Sequence, residues 1–92
     1  MTGRTRAGLG QLARAVDAGA SPTVRAMALV RRGHVRYFVL AEPRDAIVDL
    51  SAALPSLRDA GELVWVGRSL NLLGLANLAL GHVEEALSLI HI

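Results

Sequence analysis

Three histidines, a pair of adjacent glutamates and a run of arginines are the residues of this chain whose types could do chemistry. His34, His82 and His91 fall in different stretches, none is spaced i, i+4 from another, and the chain has no cysteine. A structural zinc site needs four converging nitrogen or thiolate ligands, so no metal site is expected. Glu84 and Glu85 are consecutive; on a helix consecutive side chains diverge by about 100°, so they do not face each other as an acid pair. They read as the solvated first turn of a helix. No Ser or Asp is placed to form a nucleophile with a histidine. "RAGLGQLA" at 6–13 lacks both a preceding strand and the lysine of a phosphate loop. Neither an enzyme nor a cofactor is expected.

Arginine is the remaining candidate. All ten cations are arginine, set against eight carboxylates for a formal charge of +2. They are spread along the chain, whereas nucleic-acid binders concentrate positive charge. The densest cluster is Arg31, Arg32 and Arg36, in which Arg32 and Arg36 share one helix face and Arg31 points aside. A solvated helix face is the plainer reading. The alternative is a small helical nucleic-acid-binding module built on the Arg25–Arg36 stretch. Aromatics make up 3% of the chain, too few for a base-stacking platform. Nucleic acid is therefore not favoured as a partner, and Trp65 reads as packing rather than as ligand contact.

The elements that must position these residues are helices. Hydrophobic residues make up 52% of the 92 positions, with Ala and Leu prominent, which favours an all-α domain with a modest core. Five stretches emerge: about 5–18, weakened by Gly8 and Gly10; 22–41, opened by Ser21 and Pro22, with Gly33 as a soft spot; 43–59; 62–80; and a last one from about His82. In the third, Ile47, Leu50, Leu54 and Leu57 form one apolar stripe, and Pro55 predicts a kink or an early end. Gly61 and Gly81 mark helix ends. Residues 63–80 come nearest to a membrane span, but Arg68, Ser69, Asn71 and Asn77 interrupt them. Neither a membrane segment nor a secretory signal is expected, and the location by default is cytoplasmic.

The hairpins repeat. "DAG" occurs at 17–19 and 59–61, and "AEPRDAI" at 41–47 parallels "GHVEEAL" at 81–87, a shift of 40. "LNLLGLANLALGHVEEAL" resembles the tetratricopeptide repeat family: Leu73-Gly74, Gly81 and Ala86 stand at the family's spacing, and Leu70 takes the early aromatic place. Asn77 stands where an aromatic is common. The spacing resembles the family's longer variant, common in bacterial regulatory and signalling proteins, rather than the repeat of about 34 residues. At the same offset the earlier repeat has Gly33-His34, Tyr37 and Ala41, with Ala46 fitting well. The resemblance implies antiparallel hairpins stacked as a right-handed solenoid: 1–21 a lone second helix and turn, 22–61 a degenerate repeat, and 62–86 the start of a better one. Ala46, Leu70, Leu73, Gly74, Gly81 and Ala86 would carry repeat packing. It further implies a non-catalytic protein–protein interaction scaffold whose partner is a protein or peptide of unknown identity. The concave groove would present Arg31, Phe38, Arg68, Asn71, Leu75 and Leu78. About three repeats are needed for independent stability, so the chain is expected to be marginal alone and to pack on missing repeats of the same parent chain. The final "LSLIHI" at 87–92 holds two of the chain's three isoleucines. It resembles translated transposase-end adapter DNA of sequencing libraries and is expected to be a non-native tail.

Overall fold

The computed structural model describes residues 20–90. The helix expected at 5–18 lies outside them, as do His91 and Ile92. The described residues form four helices and no strand: α1 Pro22–Phe38, α2 Pro43–Asp59, α3 Leu63–Ala79 and α4 Val83–Ile90. The protein is all-α over this span.

Local chemistry accounts for the boundaries. At the start of α1 the Ser21 Oγ accepts from the Val24 N–H at 3.2 Å, and Pro22 follows where its missing N–H costs nothing. Pro43 plays the same part in α2. α2 and α3 close alike: the Glu62 N–H donates to the Leu57 carbonyl and the Gly61 N–H to Arg58, as His82 does to Asn77 and Gly81 to Leu78. Gly61 at φ 68° and Gly81 at φ 79° supply the left-handed residue this closure needs.

α1 ends at Phe38 rather than 41, and its turn is one residue longer. The Glu42 N–H reaches back to the Arg36 carbonyl at 2.7 Å, and Ala41 takes the left-handed place with φ 53°. An L-residue there costs about 1–2 kcal/mol. Ala41→Gly is therefore expected to stabilise the fold by about 0.5–1 kcal/mol after glycine's larger entropy loss, read as a shift of urea midpoint at unchanged slope.

The extra residue corrects the alignment of the two helix pairs. α2 and α4 start at 43 and 83, an offset of 40, but α1 and α3 start at 22 and 63, an offset of 41. Gly33, not His34, therefore shares the place of Gly74, and both are buried. Nor is Gly33 a soft spot. α1 is continuous through it, and a Cβ there would meet the Leu50 Cγ at 3.0 Å. The absent side chain lets α1 and α2 approach. Pro55 does not end α2 early either. It and Ser51 face solvent, so water can satisfy the carbonyl that loses its donor.

Each helix packs on its neighbours in sequence, and α1 also touches α3. The core joins Ala26 and Val30 to Ala46, Leu50, Ala53, Leu54 and Leu57, and to Leu72 and Leu73. Burying a leucine such as Leu50 is worth about 1.5–3 kcal/mol. Of the residues expected to carry packing, Ala46, Leu73, Gly74 and Ala86 are buried, Leu70 is half-buried, and Gly81 is exposed and serves the turn instead. Ser69 and Asn77 are the polar members of the interior of α3. The Ser69 Oγ donates to the Trp65 carbonyl at 2.7 Å, and the Asn77 Nδ2 to Leu73 at 2.9 Å. The Asn77 Oδ1 lies 3.1 Å from the His82 Nδ1. Asn77 thereby ties the α3–α4 turn together.

Candidate cleft between α1 and α3

Where α1 meets α3, a cleft of about 310 Å³ is lined by Val30, Arg31, His34, Val35, Trp65 and Arg68. α1 contributes residues 30, 31, 34 and 35, a single face by helical spacing. α3 contributes Trp65 and Arg68, one turn apart. The Arg31 Cζ lies 5.7 Å from the centroid of the Trp65 ring and the Arg68 Cζ 5.1 Å. Each guanidinium is thereby held against the ring's negative face density by a contact worth about 0.5–1 kcal/mol at an exposed site. Both arginines are exposed, and among the described residues neither has a carboxylate at ion-pair distance. The cleft therefore offers two oriented, uncompensated cations above an apolar floor of Val30 and Val35.

Arg31 and Arg68, expected in the groove from sequence, do meet here. Phe38 lies beyond, lining a neighbouring hollow of about 440 Å³ with Tyr37, Ala41, Pro43 and Ala79. Its ring sits 4.8 Å from those of both His34 and Tyr37. Asn71 and Leu78 are exposed and Leu75 half-buried, and none of the three lines either hollow. Sequence reasoning gave Trp65 a packing role only. It does pack against the core, and it also orients both arginines. The signal was present as Trp65 and Arg68 at i, i+3, but Arg31 is distant in sequence.

The remaining arginines of the cluster are not a solvated face. Asp49, 2% exposed, accepts from the Arg32 Nε and Nη2 at 2.9 Å each and from the Arg36 Nη1 at 3.0 Å. Arg32 and Arg36 side chains are 19% and 25% exposed. Arg31 points into the cleft instead. The Arg25–Arg36 stretch thus does not present one basic patch, since its central pair is turned onto a buried carboxylate.

His34 borders the cleft and His82 lines a different groove, so these two histidines do not converge. No helix among the described residues is long and apolar enough to cross a membrane. Comparison with protein-family models, curated proteins and solved structures finds no match to this chain.

Proposed function

We propose that the chain is a non-catalytic interaction scaffold that holds an acidic peptide segment in the α1–α3 cleft. The observation that carries this is the pair Arg31 and Arg68, held against Trp65 without a carboxylate partner among the described residues. Guanidinium groups bind carboxylates with directed, charge-assisted hydrogen bonds, and the apolar floor suits an aliphatic neighbour of the acid. Helices packed in chain order, with α1 touching α3, support the hairpin stacking of a tetratricopeptide-like solenoid. In that reading further repeats of a parent chain continue the stack, and a regulatory or signalling role in a bacterium follows by analogy with the longer repeat variant.

Trp65 is the only tryptophan, so its emission reports on the cleft directly. Titration with the blocked tetrapeptide Asp-Leu-Glu-Val is expected to change that emission, and the Asn-Leu-Gln-Val counterpart is not. Arg68→Ala should weaken binding about tenfold, the order of one charge-assisted hydrogen bond. An unchanged emission spectrum at millimolar acidic peptide would sink the proposal.

A further inference from the structure

A second groove lies on another side of α3, with α2 and α4 as walls and α3 as floor, and its volume is about 690 Å³. α2 and α4 do not approach each other closely. The α2 wall is one stripe: Ile47, Ser51, Leu54 and Arg58 recur at steps of four, three and four, three turns or about 16 Å of helix. The floor holds Leu70, Leu73 and, toward the α3–α4 turn, Asn77 beside His82, and Leu89 of α4 adds to it. The positions matching Leu73 and Leu89 in the first helix pair are Arg32 and Asp49, which close on each other. The second pair carries leucines there, so that ion pair has no counterpart on its face.

The ends of this groove differ in charge. Arg58 is in the last turn of α2, beside the α2–α3 turn, and Glu85 is in the first turn of α4, beside the α3–α4 turn. The 17 residues of α3 separate the two turns. Both side chains are exposed, and among the described residues neither is ion-paired. The dipoles of α2 and the antiparallel α3 oppose one another at each end. Glu84 and Glu85 together outweigh the half-charge at the start of α4.

We propose that this groove docks an amphipathic helix of about three turns from a partner protein. The helix lies parallel to α2, with its N-terminus at Glu85 and its C-terminus at Arg58. The apolar part of the lining, Ile47, Leu54, Leu70, Leu73 and Leu89, calls for an occupant with apolar residues at i, i+4, i+7 and i+11. The positive N-terminal end of such a helix then faces a carboxylate and its negative C-terminal end a guanidinium. The reverse orientation sets like against like at both ends.

The test uses the full chain, labelled with ¹⁵N, and a blocked 14-residue peptide with leucines at positions 1, 5, 8 and 12 and Ala and Gln elsewhere. Amide shifts are expected at Ser51, Leu70, Leu73 and Leu89 and not at Arg31 or Arg68. A nitroxide on the peptide N-terminus should broaden Glu85 more than Arg58, and one on the C-terminus should do the opposite. Combining Arg58→Glu with Glu85→Arg should reverse that order. Ser51→Tyr, at an exposed position, should weaken binding at least tenfold with unchanged circular dichroism, whereas Arg68→Ala should leave it unaltered. Shifts confined to the Trp65 cleft, no shifts at millimolar peptide, or equal broadening from both labels would overturn the proposal. So would shifts of the groove residues with protein concentration alone, which would make the occupant a second copy.

Discussion

Replacing Asp49 with alanine should cost about 3–5 kcal/mol, because it removes the buried carboxylate that two part-buried guanidinium groups share. That is a large share of the roughly 5 kcal/mol available to a domain at the low end of ordinary stability, so Asp49→Ala should populate the unfolded state without denaturant. Circular dichroism at 222 nm during urea titration measures this. Asp45→Ala is the control: Asp45 is exposed, and its loss should stay within about 0.5 kcal/mol. The two arginines should also differ. Arg32 meets both Asp49 oxygens, whereas Arg36 makes one such bond and keeps its Nε buried without a partner. That orphaned donor is a standing cost of about 1–3 kcal/mol. Arg36→Met should therefore be milder than Arg32→Met. If Asp49→Ala proves as stable as the parent, the cluster is not holding α1 to α2.

The second large effect is a difference in sign. Gly67→Ala should stabilise by about 0.5–1 kcal/mol, since Gly67 is exposed in α3 with nothing within 4 Å of its would-be Cβ. Gly33→Ala should lose stability although the helix propensity gain is the same. Its Cβ would sit 3.0 Å from the Leu50 Cγ, 3.2 Å from its Cδ2 and 3.5 Å from the Ala46 carbonyl oxygen. Leu50 is fully buried and cannot swing aside. Overpacking costs about 1–3 kcal/mol, for a net loss of about 1–2 kcal/mol, and Gly33→Val should reach about 3 kcal/mol or more. At about 4–8 °C per kcal/mol for a domain of this size, thermal melts of Gly33→Ala and Gly67→Ala should fall on opposite sides of the parent. Equal, positive shifts in both would mean that α1 and α2 are not in close contact at Gly33.

Gly33 also marks where the spacing along the sequence and the structure part. A constant shift of 40 fits the "AEPRDAI" and "GHVEEAL" segments, but one added residue in the α1–α2 turn moves the first helix of the pair to a shift of 41. Gly33, which matches Gly74, therefore lies one residue from the place a constant shift assigns. Turn length is a balance of backbone hydrogen bonds across four residues, and no side chain in "VLAE" announces it. Ala41 is the case in point: a left-handed residue with a Cβ carries no glycine signal.

What the sequence determined by itself is local. Ser21 and Pro22 start α1, Pro43 starts α2, and Gly61 and Gly81 close α2 and α3, because caps and left-handed closures act within a few residues. The apolar stripe of α2 is legible for the same reason, since helical periodicity alone puts Leu50, Leu54 and Leu57 on one face. Tertiary packing alone decided which arginines are free. Arg31 and Arg32 are adjacent in the chain, yet one turns to Trp65 on α3 and the other to Asp49 on α2. Their separation is set by the angle between consecutive side chains on α1 and by which helix packs on each side. Charge count and spacing along one helix contain neither the position of a carboxylate seventeen residues away nor that of a ring on another hairpin.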